Sequence, residues 1–327
     1  MNKKKKIRVM GIESSCDETS VSIVEKSGNK INVLSNVVKS QIDIHQYYGG
    51  VVPELAARAH SDIIDKLVLK ALTEAKMIFK KIDAIASTAG PGLLGGLLVG
   101  VVAGKTLAHY LNKPFIAVNH LEGHALSIKL EREINYPYLL LLVSGGHTEY
   151  TIIKDFNDYK RIGTTIDDAL GEAFDKTAKL LGIEFPGGPQ IEVLAKKGDP
   201  NKFDLPKPIL NKGGCNLSFA GLKTAVLKIS KNIKNEQDKF DLAASFQNTI
   251  EKILYKKTKI AFDEYEKQSN PKKKVLVVAG GVAANKNIRS MLKNLCKDED
   301  YHSVFPPIEL CGDNAAMIAL VGLEKYK

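Results

Sequence analysis

At 327 residues, 44% hydrophobic and 26% charged, the chain is long enough for two lobes with separate cores or one large α/β domain, and its composition argues against long disorder. The formal charge of +10 at pH 7 favours a polyanionic partner, while Cys16, Cys215, Cys296 and Cys311 form no Cys-x-x-Cys pair, which argues against a disulfide scaffold or zinc ribbon and for a reducing compartment. The lysine run at residues 1–6 lacks the apolar core of a signal peptide, and the uncharged run 91–104 is too short to span a bilayer, so a cytoplasmic protein without a membrane segment is expected.

Residues 7–12 and 20–25 read as two strands of a hairpin. The turn between them, Glu13-Ser14-Ser15-Cys16-Asp17-Glu18-Thr19, is crowded with hydroxyls and carboxylates; its N–H groups and hydroxyls suit a phosphate, its acids a cation or a substrate amine. Residues 53–80 keep a helical period through Leu55, Ala59, Ile63, Leu67, Leu69 and Ala71, giving a face large enough for a partner. A strand at 82–87 leads into Gly90-Pro91-Gly92-Leu93-Leu94-Gly95. This imitates the dinucleotide fingerprint, but no acid follows at the ribose distance. The run from Gly100 to Thr106 likewise imitates a Walker A loop one residue short, inside a helix-like segment. Gly92, Gly96, Gly100 and Gly104 recur every four residues, so one helix face is nearly bare backbone and suits close packing.

After the apolar run 115–118 comes His120-Leu121-Glu122-Gly123-His124. On a helix the two imidazoles lie four residues apart on one face, close enough to share a metal ion that needs a third ligand from elsewhere. Metalloproteases place a glutamate beside the first histidine of such a pair; here Glu122 is two residues from each, and at about 100° per residue it projects roughly 200° away from both. It is a poor general base.

Residues 138–143, the turn Ser144-Gly145-Gly146-His147 and residues 148–153 form a second hairpin. One polar hairpin near the start of each half points to two related lobes facing each other across a nucleotide. Residues 164–181 read as an amphipathic helix carrying several acids, and 185–192 as a glycine-proline loop opening another helix. Residues 198–214 read as a loop, and 218–226 and 241–255 as helices. A buried strand at 272–278 turns through Gly280-Gly281 into a helix near Asn285, where the glycines admit a flat ring or a phosphate to the backbone. Cys311-Gly312-Asp313-Asn314 caps a last helix, and Asp313 is the leading candidate for the third metal ligand, with its oxygen expected from across the cleft.

Together, residues 11–19, 120–124, 143–148, 171–176, 186–192, 218–223, 280–285 and 311–314 resemble the TsaD family, in the same order and over residues 8–323. The His-Leu-Glu-Gly-His form looks like its bacterial and organellar branch. The resemblance implies the α/β, two-lobed fold of actin, Hsp70 and the sugar kinases (ASKHA) with a nucleotide cleft, residues 1–128 forming one lobe with the helix 313–327 packed back on it and 129–312 the other. It implies transfer of threonylcarbamoyl from threonylcarbamoyl-AMP to N6 of adenosine 37 in tRNAs reading codons that start with A. It implies a divalent metal, Fe2+ or Zn2+, on residues matching His120, His124 and Asp313. Nucleotide and acyl-donor contacts would fall on Leu142, Val143, Ser144, Gly145, Gly146, Asp175, Gly188, Glu192 and Asn285. A paralogous TsaB-like subunit, a TsaE-like P-loop ATPase and a TsaC-like synthase are the implied partners besides tRNA, with residues 53–80 as the expected docking face for the paralogue. Asp17 and Glu18 are candidates to position or deprotonate the adenine amine. A metallopeptidase using Glu122, or a non-enzymatic actin-like nucleotide-binding module, are the competing readings.

Overall fold

The computed structural model describes residues 6–326. In chain order the elements are β1 (Lys6–Glu13), β2 (Glu18–Ser27), β3 (Lys30–Ser40), α1 (Ile42–His45), α2 (Pro53–Glu74), β4 (Ala84–Gly90), α3 (Leu94–Leu111), β5 (Phe115–Asn119), α4 (His120–Leu126), β6 (Tyr138–Val143), β7 (Thr148–Asp155), β8 (Asp158–Thr164), α5 (Leu170–Leu180), α6 (Gly187–Ala195), α7 (Ala220–Ser230), α8 (Glu236–Ser269), β9 (Val275–Ala279), α9 (Lys286–Asp298), β10 (His302–Val304) and α10 (Ala315–Lys325). They fall into two compact units, Met1–Ile134 with Gly312–Lys327, and Asn135–Cys311.

Each unit is built on a five-stranded sheet, and the two have the same order. In the first it is β3-β2-β1-β4-β5, in the second β8-β7-β6-β9-β10. Three antiparallel strands are followed in each by two that run parallel to the central one. The two hairpins expected from the sequence are β1–β2 and β6–β7. β3 and β8, which extend each hairpin to three strands, had no counterpart in the sequence reading.

In the first unit, alternation along β1 decides what each face receives. Met10 and Ile12 join Ile64, Leu67 and Ala108 of α2 and α3 in one core. On the opposite face Gly11 lies so close to Ala315 and Ala319 that any side chain there would collide with α10. α10 is buried from Ala315 to Leu323, which makes the C-terminal helix a core element of the first unit.

α2 begins with Pro53 at its first turn, where a missing N–H costs nothing. Its buried stripe is Ala56, His60, Ile64, Leu67, Val68, Ala71 and Leu72, rotated from the stripe read in the sequence, and Leu69 is exposed. The glycine face of α3 is packed as expected. Ser14 Oγ donates to the Gly96 carbonyl at 2.9 Å and Ser87 Oγ to that of Gly100 at 3.1 Å, filling the space a Cβ on Gly100 or Gly104 would need. By length and composition α3 alone among the described residues passes as a membrane span; the buried glycine face gives it a different explanation, as a helix seated on a sheet.

In the second unit α5 starts at Leu170, six residues later than the sequence reading, because Asp167 is engaged elsewhere. Its Oδ1 accepts the Phe219 and Ala220 N–H groups at 2.8 and 3.2 Å and its Oδ2 the Ser218 hydroxyl at 2.5 Å, holding the start of α7. α8 spans 34 residues, well beyond 241–255 at both ends, entered through an Asn235 cap on the Asp238 N–H at 2.8 Å.

Candidate metal centre and nucleotide-binding residues

α4 opens where it does because Asn119, the last residue of β5, accepts the N–H groups of Leu121 and Glu122 at 2.9 and 3.3 Å. That cap sets His120 and His124 on one face, both buried. At the other end of the chain Asn314 caps α10 through the Met317 N–H at 3.2 Å, and Asp313 stands one residue before it. His120, His124 and Asp313 each offer one ligand atom, all within 4.8 Å of one another. Asp313 Oδ1 is 3.0 Å from His124 Nε2 and 3.5 Å from His120 Nε2. Asp313 belongs to the same unit as the histidines, so its oxygen comes from within that unit and not from the other lobe.

The sequence places Glu13 among the acids of the first turn without linking it to the histidines, yet it backs this group. It is fully buried. Its Oε2 is 3.1 Å from His120 Nδ1 and accepts the Thr88 hydroxyl at 2.5 Å, while Oε1 accepts the Ser15 N–H at 2.6 Å. A carboxylate behind one imidazole nitrogen turns the other toward a metal, the arrangement that orients metal-bound histidines. Burial disfavours charge on His120, but Asp313 and Glu13 on its two sides hold its proton well above the ordinary imidazole range. Burial likewise works against charge on Glu13 and Asp313, and the neighbouring histidines overcome it, leaving both carboxyls below their usual range. Two imidazoles and a carboxylate with a carboxylate behind them fit zinc or divalent iron. The proton that His120 holds in this state is the one a metal would displace.

Glu122 is turned away from this group. Its Oε2 accepts from Lys325 Nζ at 2.5 Å, an ion pair tying α4 to α10. The projection inferred from its helix position is therefore what the side chain adopts.

At the first hairpin turn the Glu18 carboxyl is held well above the usual carboxylate range, first by burial and then by Asp17, Asp313 and Glu13.

In the second unit the residues expected to touch a nucleotide are joined by a chain of contacts. Leu142 and Val143 end β6, buried, and Gly145 and Gly146 are exposed. The Ser144 carbonyl accepts the Gly171 N–H at 3.1 Å, and Gly280, at φ +95°, packs its backbone on Val143. Asp175 Oδ1 accepts the Gly187 N–H at 2.8 Å, next to Gly188. Glu192 Oε1 accepts the Lys286 N–H at 3.1 Å. Asn285 caps α9 through the Ile288 N–H at 3.0 Å and donates to Gln247 Oε1 at 3.1 Å. Gln247, buried on α8, is a participant that nothing in the sequence pointed to.

A profile of the family described as TsaD, tRNA N6-adenosine threonylcarbamoyltransferase, matches residues 32–320. The chain is 67% identical over 324 residues to the tRNA N6-adenosine threonylcarbamoyltransferase of Pelagibacter ubique (strain HTCC1062), covering 99% of this chain and 91% of that one. It is 51% identical over 323 residues to the enzyme of the same description from Rickettsia rickettsii (strain Sheila Smith), covering 98% and 93%. Among solved structures, full-length HypF in its phosphate- and nucleotide-bound form aligns at TM-score 0.61 and 12% identity, covering 99% of this chain and 47% of that one. The ROK hexokinase of Thermus thermophilus aligns at 0.51 and 14%, covering 97% and 99%. At such identities the structural likeness shows the fold alone, that of the actin, Hsp70 and sugar-kinase class.

Proposed function

The chain belongs to the TsaD family of tRNA N6-adenosine threonylcarbamoyltransferases, and from that premise we propose that it transfers threonylcarbamoyl from threonylcarbamoyl-AMP to N6 of adenosine 37 in tRNAs reading codons that start with A, releasing AMP. The adenine N6 attacks the carbamoyl carbon, a C–N bond forms, the C–O bond of the mixed anhydride breaks, and AMP leaves with the electron pair. An exocyclic amine is a weak nucleophile, so the protein's task is orientation and charge stabilisation around an already activated donor. The amine proton needs an acceptor near the first hairpin turn. Asp17 and Glu18, the carboxylates of that turn, are the candidates to accept it.

The observation that carries this reading is the group His120, His124 and Asp313 with Glu13 behind it and Glu122 turned away. A divalent iron or zinc ion bound there would supply Lewis acidity and a positive anchor for the threonyl moiety. Because Glu122 is paired with Lys325, the peptidase reading lacks its base. Leu142, Val143, Ser144, Gly145, Gly146, Asp175, Gly188, Glu192 and Asn285 are the residues assigned to the nucleotide part of the donor. Their exposed glycines and ordered polar groups support this.

The charge of +10 supports a tRNA substrate, and a cytoplasmic location follows from that substrate. A TsaB-like paralogue is assigned to the α2–α3 pair. The support is an exposed apolar stripe on α3, Leu94, Leu98, Val102 and Tyr110, at four- and eight-residue steps. On α2 the only large apolar side chain exposed among the described residues is Leu69, so α3 carries more of the face than residues 53–80 do. A TsaE-like ATPase and a TsaC-like synthase complete the system.

Incubating the metal-loaded chain with its partners, unmodified tRNA and threonylcarbamoyl-AMP should yield t6A in the nucleoside digest by mass spectrometry. A digest without t6A, alongside metal-dependent cleavage of peptides, would transfer the case to the peptidase reading.

A further inference from the structure

Apart from the metal group, the first unit buries a second set of polar side chains that the proposed chemistry leaves unused. His45 and His60 are both fully buried, yet neither touches a carboxylate among the described contacts. His60 Nε2 lies 3.0 Å from the Cys16 carbonyl. A carbonyl only accepts, so Nε2 carries the hydrogen, and in the neutral ring Nδ1 is bare. Nδ1 then accepts from the Thr19 hydroxyl at 2.7 Å and from Gln41 Nε2 at 3.2 Å. Gln41 is oriented in turn, its Oε1 taking the His45 Nε2 hydrogen at 3.0 Å, while His45 Nδ1 accepts the Val52 N–H at 3.3 Å. Every polar atom of both rings is used, which a buried network requires.

These bonds converge on one short piece of chain. Cys16 and Thr19 flank Asp17 and Glu18, and the Asp17 carbonyl is itself fixed by the Gln41 N–H at 3.0 Å. The turn is thus gripped at residues 16, 17 and 19, while the two carboxyl side chains are left out of the grip. The His60 ring is seated against Gly96, where a Cβ would lie 3.1 Å from two ring atoms, so the bare face of α3 is what admits it. Burial holds both rings below the ordinary imidazole range, in keeping with a neutral network.

We propose that His60, seconded by Gln41 and Thr19, is a positioning residue for the reacting centre: it fixes the backbone that carries Asp17 and Glu18 through the Cys16 carbonyl. This rests on the reading of those two acids as groups that meet the adenine amine. A misplacement of about 1 Å at such a position costs on the order of a hundredfold in rate.

The first measurement is the long-range 1H–15N spectrum of the histidine-labelled full-length chain, where His60 should appear as the neutral Nε2–H tautomer; a charged ring or the Nδ1–H form overturns the proposal. The second compares His60→Leu, which keeps bulk without polarity, with His60→Gln, whose amide can still donate to Cys16. In His60→Leu, amide exchange at Asp17 and Glu18 should rise at least about tenfold and kcat for transfer fall about ten- to a hundredfold, with the donor KM and metal stoichiometry within about threefold. His60→Gln should recover most of both. Should His60→Leu not fold, Thr19→Val, which removes one hydrogen bond to the ring, must show the same pattern at smaller size. Unchanged exchange, faster exchange with unchanged kcat, or a Gln variant as impaired as Leu would each refute it. If the unsubstituted chain transfers nothing, the functional reading fails separately, and tautomer and exchange still report whether His60 holds the turn.

Discussion

Glu13→Gln is the smallest change that separates a metal group from three side chains packed for stability alone. Glu13 spends one oxygen on the Ser15 N–H and the other on Thr88 and His120. A glutamine can keep its carbonyl on Ser15 and let the Thr88 hydroxyl reverse to accept from its amide. It cannot accept from His120 Nδ1 at the same time. The amide hydrogen would instead face Nδ1 and drive the imidazole to the Nε2–H tautomer, which puts a hydrogen where the ligand lone pair is needed. Loss of such a backing group typically weakens metal binding about ten- to a hundredfold, or about 1.4 to 2.8 kcal/mol at about 1.4 per factor of ten. Competition of the full-length protein against a chromophoric chelator, with zinc and with ferrous iron, reads this directly. A folded Glu13→Gln protein whose affinity moved by less than about threefold would refute the idea that Glu13 sets the His120 tautomer.

Metal uptake should release about one proton near neutral pH, because it displaces the proton that Asp313 and Glu13 hold on His120; affinity should climb by up to about tenfold per pH unit until the raised His120 value is passed. Calorimetry in two buffers of different ionisation enthalpy measures that proton. For the metal-free protein the sign is opposite, since a raised imidazole stabilises the fold below its unfolded value and that contribution is lost as pH rises through the folded one. Urea midpoints should therefore fall in that direction. Glu122→Gln should leave metal content unchanged, keep transfer within about threefold, and cost at most about 1 kcal/mol, because Lys325 is partly solvated. Asn285→Ala should weaken adenine nucleotide binding at least about tenfold and also cost about 1 kcal/mol through the lost α9 cap; Asp175→Ala should weaken it without that cap loss, and unchanged nucleotide affinity in both would refute the assignment.

The parts of the molecule legible in the sequence are those whose signal is local. Histidines four apart, glycines four apart, two hairpins and an asparagine ahead of the last helix each state their geometry within a dozen residues. Glu122 was placed correctly for the same reason, since helical angle depends only on spacing. What stayed hidden depends on strand order. Glu13 and His120 are 107 residues apart, and nothing in either neighbourhood tells that β1, β4 and β5 lie side by side. Once they do, and run parallel, their carboxyl ends come to one edge: Glu13 closes β1, Thr88 lies near the end of β4, and Asn119 closes β5 to launch α4. Side chains that were strangers in sequence become hydrogen-bonded neighbours there, as ligand-binding groups do at the carboxyl edge of parallel strands. α10, packed across the same sheet through Gly11, brings Asp313 to that edge just ahead of its N-terminus, where the peptide dipoles favour a negative charge. The place of Asp313 beside the histidines thus depends on glycine at position 11, because a larger residue would lift α10 from β1 and carry Asp313 away from both.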